Sequence, residues 1–363
     1  EYSMKKIIGQ LKPYVPEEPA ESVKARLGVD RLVRLSANEN PYGTSPKVRE
    51  AVLDYVVNND ANLYPDGNAS ALRAKLANYW NVEENQLVIG VGLDEVISMV
   101  NKTFINTGDS IVISVPAFSE YGLNGLVEGA VIREVPCIEA TGQYDFGAMR
   151  KAVDDTTRLV WICNPNNPTG TYESVEDIRK FIGTLPDNVL VIIDEAYIDF
   201  VTSVEVPTAR ALLDEFPNVC IMRTFSKAYG LANYRVGYMM SSAELANYIQ
   251  TIRLPYNLNT LSQVAAEAAF EDQEFLRATV RKNAVERDLW EQTLDEVKAT
   301  YYKSGANFIF MSVPNAEALA DEWLAKGYQV RRGQRENWLR VTLPPADDGV
   351  IMRSVLKDYM ARQ

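Results

Sequence analysis

The chain has 363 residues and a formal net charge of −12, with 37 basic against 49 acidic side chains and no histidine. Such an acidic balance argues against a nucleic-acid or anionic-membrane surface, since either needs clustered Lys and Arg. The missing histidine removes Ser-His-Asp and Cys-His triads, nearly all zinc sites and the commonest general base, so proton transfer falls to lysine, tyrosine or a carboxylate and no metal is expected. No apolar run approaches the ~20 residues that cross a bilayer, and the start lacks a signal-peptide core, so a cytoplasmic protein acting on small molecules is expected. Cys137, Cys163 and Cys220 stand singly in or beside apolar runs and read as buried thiols.

A proline-rich start (Pro13, Pro16, Pro19) predicts an arm over residues 1–35 that lies across the surface. Apolar, β-branched runs then recur at Gln86 to Ile89, Ser110 to Val115, Val131 to Val135, Arg158 to Ile162, Val189 to Ile193, Val219 to Met222 and Val236 to Met240, with helical stretches between them. Runs apolar on both faces predict an α/β domain over 36–258, a mostly parallel sheet of about seven strands covered by helices. Ligands of such sheets sit at the carboxyl ends of the strands. From Thr260 to Thr300 the apolar positions fall at helical spacing. Asn307 to Val313 then reads as a strand, Ala316 to Lys326 as a helix, Gln329 to Arg331 and Trp338 to Thr342 as short strands, and Asp347 to Met360 as a terminal helix. Residues 259–363 are therefore expected to form a smaller α+β unit, with a cleft between it and the large domain.

Polar groups gather at the expected strand ends. Gly90-Val91-Gly92-Leu93-Asp94-Glu95 follows a strand and opens a helix, where free N–H groups receive a phosphate. Glu95 stands where a dinucleotide fingerprint needs its third glycine, and an ordinary strand-to-helix turn remains the alternative. Phe118, just past another strand, is either a core ring or a flat surface for an aromatic ligand. Cys163 to Gly170 packs two prolines and two asparagines into a rigid turn, which is a plain loop or a mount that aims Asn167 at a ligand oxygen. Asp194 ends the run from Val189, and a buried carboxylate there calls for an arginine, a helix start to cap, or the protonated nitrogen of a pyridine ring. Tyr197 lies close enough to share that ligand. Thr224, Ser226 and Arg235 surround Lys227 with groups suited to a phosphate. Lys227 then reads as a Schiff-base lysine for a phosphorylated aldehyde cofactor, against the alternative of one more solvated lysine. Arg340, inside the apolar stretch Trp338-Leu339-Arg340-Val341-Thr342, suits a bidentate hold on a carboxylate or a structural ion pair.

With Asn167, Asp194, Tyr197, Lys227 and Arg235 in this order, nearly the whole chain resembles the fold-type I pyridoxal-phosphate aminotransferases of class I/II. More narrowly it is similar to the histidinol-phosphate aminotransferase family, through Leu35-Ser36-Ala37-Asn38-Glu39-Asn40-Pro41-Tyr42-Gly43, Leu63-Tyr64-Pro65-Asp66, Pro165-Asn166-Asn167-Pro168-Thr169-Gly170, Asp194-Glu195-Ala196-Tyr197, Arg253-Leu254-Pro255-Tyr256-Asn257 and Leu339-Arg340-Val341-Thr342. The resemblance implies pyridoxal 5'-phosphate as cofactor, held as an aldimine by Lys227, which also serves as acid and base. It implies Asp194 at the pyridine nitrogen, Asn167 and Tyr197 at the phenolic oxygen, Phe118 against the ring, and Leu93, Asp94, Thr224, Ser226 and Arg235 at the phosphate. Arg340 and the backbone near Asn38 would hold the substrate α-carboxylate, and Tyr14 and Arg331 would meet the distal phosphate of histidinol phosphate. It further implies a homodimer with shared active sites, Tyr64 reaching into the neighbour's site, and 2-oxoglutarate as acceptor.

Two stretches depart from the family pattern on the substrate side. Asn233-Tyr234 replace the usual Gly-Leu before the phosphate arginine, and the stretch from Arg331 to Arg340 is short and carries Arg332, Gln334 and Arg335 in place of glycines. Histidinol phosphate is the expected amino donor, with an aromatic amino acid as the alternative. A pyridoxal-phosphate lyase or decarboxylase, related to threonine-phosphate decarboxylase, is a further reading of the same lysine. A cofactor-binding regulator is the reading that the acidic charge disfavours.

Overall fold

The computed structural model describes residues 1–363. After β1 (Val33–Leu35) come β2 (Leu87–Val91), β3 (Ser110–Val115), β4 (Val131–Pro136), β5 (Thr157–Cys163), β6 (Leu190–Asp194), β7 (Val219–Thr224) and β8 (Val236–Met240). The last seven form one sheet in the order β2-β8-β7-β6-β5-β3-β4, in which only β8 runs against its neighbours. The expected mostly parallel, seven-stranded α/β sheet is present, and its strands lie within two residues of the runs read from the sequence.

β6, β7 and β8 are buried at every position, which is why they read as continuous apolar runs and not as alternating ones. Side chains still alternate between two layers. Val160 and Ile162 of β5 join one core with the helices Ser70–Trp80 and Thr260–Glu271, while Leu159 and Trp161 join another with the helix Gly92–Phe104.

The smaller unit contains β9 (Thr300–Tyr301), β10 (Phe308–Ser312), β11 (Tyr328–Val330) and β12 (Trp338–Thr342). β10 lies between β12 and β9, antiparallel to both, and the helices Gln273–Glu296, Ala316–Ala325 and Ala346–Ala361 cover them around Trp290, Trp323 and Leu356. β1 belongs to this unit by pairing: it runs parallel to β11, with Val33 opposite Tyr328 and Leu35 opposite Val330, and Leu35 is buried in the same core. The helix Thr260–Glu271, past the expected domain boundary, buries Ala265, Ala266 and Ala269 in the core of the large sheet. Neither crossing has a local signal, because a three-residue strand and an alanine face acquire their meaning from distant partners.

The segment leaving β1 is laid directly over the Lys227 loop. Asn40 Nδ2 donates to the Ala228 carbonyl at 3.2 Å and Thr44 Oγ1 to the Gly230 carbonyl at 2.7 Å. Gly230 has φ +71°, and a Cβ there would sit 2.1 Å from the Gly43 carbonyl oxygen. Gly230→Ala should therefore cost roughly 2–5 kcal/mol, combining the left-handed penalty with overpacking against backbone. Thermal unfolding checks it, and a midpoint equal to wild type would contradict the close approach.

Candidate active site

Parallel pairing brings the polar strand ends together. Cys163 lies opposite Asp194 and Asp194 opposite Met222, so the loops after β5, β6 and β7 open on one edge of the sheet. The reversed strand β8 pairs Gly237 with Thr224, which returns Arg235 to the same edge.

Asp194 is buried and meets neither an arginine nor a helix start. Its Oδ2 accepts the Tyr121 hydroxyl and its Oδ1 the Ala196 amide at 3.0 Å. Burial pushes the carboxyl up to about 6, against the opposing pull of these hydrogen bonds and of Lys227. Glu195, next in the chain, shows the contrast: it meets Arg223 at 3.4 Å. Asp194 keeps no cation of its own. Tyr121 thus joins the cluster, a residue not singled out from the sequence. It stacks on Trp161 with ring centroids 4.7 Å apart and meets the Phe118 ring edge to face at 5.6 Å. Its position three residues after Phe118 at the start of a helix was the available signal. Phe118 is half-buried, packed against the core that holds Trp161 and partly open beyond it.

Lys227 is half-buried, not a solvated surface lysine. Nζ donates to the Ala37 carbonyl at 3.1 Å and lies 5.7 Å from the centre of the Tyr197 ring. Desolvation, followed by the charge of Arg340, pushes its pKa down to about 8. The Tyr197 hydroxyl accepts from Asn38 Nδ2 at 3.0 Å, and burial pushes that phenol up. Asn38 has φ 57°, a conformation asparagine tolerates better than most residues. Thr342 Oγ1 donates to Asn38 Oδ1 at 2.9 Å and Asn307 Nδ2 to its carbonyl at 3.0 Å, so the small unit holds it in place.

Arg340 has no carboxylate partner, which disposes of the ion-pair alternative. Nη1 donates to Asn167 Oδ1 at 2.9 Å, Nη2 donates to the Ser36 carbonyl at 2.6 Å, and the guanidinium lies 5.7 Å from the centre of the Phe308 ring. Nε is buried without a partner. Desolvation pulls the guanidinium down to about 10. A buried cation with no carboxylate in contact and one N–H unpartnered is suited to receive an anion.

At the other end of the cleft, the helix Gly92–Phe104 begins against Arg235. A Cβ at Gly92, where φ is +71°, would lie 2.5 Å from Arg235 Nη2, and one at Gly237 would lie 2.8 Å from the Leu93 amide nitrogen. These glycines let β8 and the helix start close on each other. Arg235 itself adopts φ 54° and donates to Asp94 Oδ2 at 3.2 Å. Thr224 Oγ1 accepts the Ser226 amide at 3.0 Å. Leu93, Asp94, Thr224, Ser226 and Arg235 thus converge at a helix N-terminus, the backbone setting that receives phosphate.

Three of the expected residues lie apart from this cluster. Tyr64 is 80% exposed and stacks on Tyr256 with ring centroids 4.6 Å apart. Tyr14 is 86% exposed. Arg331 is exposed at the rim, joined to Arg340 by two backbone hydrogen bonds of 3.0 Å. The unusual cations beside it are engaged elsewhere. Arg332 pairs with Glu317 and Asp321, and Arg335 lies against Trp338 and donates to the Tyr302 hydroxyl at 2.9 Å. Tyr234 packs its ring onto the large core while its carbonyl accepts the Ser262 hydroxyl.

A family model for class I and II aminotransferases matches residues 30–354. A parallel sheet with a lysine, a buried aspartate and a helix N-terminus at its carboxyl edge is the architecture of that class. The histidinol-phosphate aminotransferase of Limosilactobacillus fermentum is 50% identical over 360 residues, covering 99% of this chain and 100% of that one. That of Lactiplantibacillus plantarum is 47% identical over 358 residues, covering 99% and 100%. The chain belongs to the class I and II aminotransferases and, within them, to the histidinol-phosphate aminotransferase family. Its fold is shared with the histidinol-phosphate aminotransferase from Sinorhizobium meliloti, solved in complex with pyridoxal-5'-phosphate, at a TM-score of 0.87 and 24% identity over 100% of this chain and 99% of that one.

The cleft is chemically complementary to pyridoxal phosphate. Asp194 is a buried carboxylate lacking a cation, the Gly92 and Arg235 end offers donors and positive charge, and Lys227 between them has a weakened hold on its proton. The lysine is testable without cofactor. In the cofactor-free protein, acetylation of Lys227 by trace acetic anhydride, followed by mass spectrometry across pH, should show a midpoint near 8. Arg340→Met should move that midpoint upward, because removing a nearby positive charge favours the ammonium form; an unmoved midpoint would rule out Arg340 as a cause of the shift.

Proposed function

We propose that this aminotransferase moves the amino group of histidinol phosphate to 2-oxoglutarate, with pyridoxal phosphate bound at Lys227. The observation that carries the reading is the half-buried amine of Lys227, pushed down to about 8 in a chain that has no histidine to move a proton. Asp194 would pair with the pyridine nitrogen, Asn167 and Tyr197 would hold the phenolic oxygen, and Phe118 would lie against the ring. Leu93, Asp94, Thr224, Ser226 and Arg235 would bind the phosphate. When bound, the cofactor supplies an electron-withdrawing ring that makes the donor's Cα–H acidic. Once the donor amine has displaced it, Lys227 Nζ would take the Cα proton and deliver it to the cofactor carbon it had occupied, and its lowered proton affinity keeps a usable fraction neutral near physiological pH.

Arg340 and Asn38 face the anionic end of the substrate. 2-Oxoglutarate brings an α-carboxylate there and histidinol phosphate a phosphate, so one guanidinium has to accept either group. Arg331, unlike Arg332, forms no ion pair in the chain, and its place beside Arg340 supports a second contact to the more highly charged phosphate, which Tyr14 of the arm would share. The reading includes a homodimer in which Tyr64 enters the neighbour's site. The exposed apolar side chains of Leu53, Val57, Leu63, Tyr64 and Leu254 support it. A cytoplasmic location is part of the same proposal, as suits small charged metabolites; no helix is long and apolar enough to cross a membrane.

A donor panel tests the function. Histidinol phosphate with 2-oxoglutarate should yield glutamate with kcat/KM at least about 100-fold above phenylalanine or tyrosine, since a polar site left unfilled rejects the analogue strongly. Comparable rates with the aromatic donors would make this an aromatic amino-acid aminotransferase, and release of carbon dioxide or ammonia without glutamate would make it a lyase. Arg331→Ala should raise KM for histidinol phosphate about tenfold or more and leave phenylalanine unaffected, the loss expected for one charge-assisted contact.

A further inference from the structure

The N-terminal arm exposes most of its side chains, including Tyr14 and Val15. Glu17 breaks that pattern, with 27% of its side chain exposed and both carboxylate oxygens engaged. Oε1 accepts the Ser36 hydroxyl at 2.6 Å and Oε2 accepts the Arg34 guanidinium. Ser36 is buried, and its carbonyl accepts Arg340 Nη2 at 2.6 Å. The chain leaves β1 one residue before Ser36, so the edge pairing with β11 stops just where this carbonyl must be held. The Ser36 hydroxyl has Glu17 as its partner. Asn167 fixes the other side of the same guanidinium from the large domain.

We propose that Glu17 is a positioning residue for Arg340, setting through Ser36 the orientation in which the guanidinium receives the anionic end of both substrates. The inference rests on the reading of Arg340 as the substrate-anion site. A two-point hold on a carboxylate or phosphate needs the guanidinium plane correctly turned, and small rotations weaken it. Glu17 touches neither substrate nor cofactor. It acts by holding the Ser36 hydroxyl, and with it the peptide whose carbonyl meets Arg340.

The experiment compares wild type, Glu17→Ala, Glu17→Gln and Arg340→Met, each loaded with pyridoxal phosphate. The readouts are KM and kcat for histidinol phosphate and 2-oxoglutarate, the calorimetric Kd of glutarate, a dicarboxylate that cannot react, and the thermal midpoint. Glu17→Ala should weaken glutarate and raise both KM values about five- to tenfold, with kcat within about twofold and the midpoint unchanged. Glu17→Gln keeps an oxygen for the Ser36 hydroxyl and should restore binding to within about twofold of wild type. Wild-type glutarate binding in Glu17→Ala, with binding lost in Arg340→Met, would overturn the positioning role alone. A joint fall of kcat, glutarate binding and thermal midpoint that Gln fails to rescue would reduce Glu17 to a structural contact. Undiminished glutarate binding in Arg340→Met would overturn the reading of Arg340 on which the proposal stands.

Discussion

Arg340 is a cation with 7% of its surface exposed, no carboxylate partner, and hydrogen bonds to two parts of the chain that are remote from it in sequence. Keeping such a charge buried calls for partners to its donors, and Nη1 and Nη2 have them while Nε does not. Meeting that requirement constrains both units. β12 has to dock where its guanidinium reaches the Asn167 loop behind β5, and the segment after β1 has to pass between them to present the Ser36 carbonyl. The same docking lets Thr342 and Asn307 grip Asn38, which in turn holds the Tyr197 hydroxyl. The cleft is therefore built by the contacts that also bind the small unit to the large sheet.

Desolvation does opposite things to the two ionisable groups at the centre of this cleft. It pushes the Asp194 carboxyl up to about 6 and the Lys227 amine down to about 8, so each is driven toward its neutral form. Arg340 adds to the effect on the lysine. The outcome is a nucleophilic amine poised near neutrality and a carboxylate held by a tyrosine and an amide that has room for one cation more. Glu195, adjacent in sequence to Asp194, lies 3.4 Å from Arg223, which also pairs with Asp199 at 2.6 Å. Burial raises both carboxyls, and the missing arginine is what makes Asp194 the candidate.

Much of this was legible in the chain. Long apolar runs predicted the sheet because strands covered on both faces have no polar side, and their ends located Asn167, Asp194 and Lys227. Gly92 and Gly237 were visible as glycines, but their purpose depends on the close packing of β8 against the helix start. Tyr121 was passed over because its hydroxyl meets Asp194 across the sheet edge. The departures at Asn233-Tyr234 and Arg331 to Arg340 looked like changes to the substrate pocket, yet Tyr234 packs onto the core and Arg332 and Arg335 are engaged within the small unit and at its edge.

By itself the sequence determined the alternation of strand and helix, the residues that stand at strand ends, and that proton transfer falls to a lysine, tyrosine or carboxylate where histidine is absent. These are properties of periodicity and residue type, which a single segment carries. Tertiary structure decided the rest: that β8 runs backward and returns Arg235 beside Thr224, that β1 leaves the arm to pair with β11, that Glu17 reaches Arg340 through Ser36, and that Lys227 holds its proton weakly. Hydrogen bonds and desolvation act over a few ångströms between residues far apart in the chain, so their effect exists only once the two units have docked.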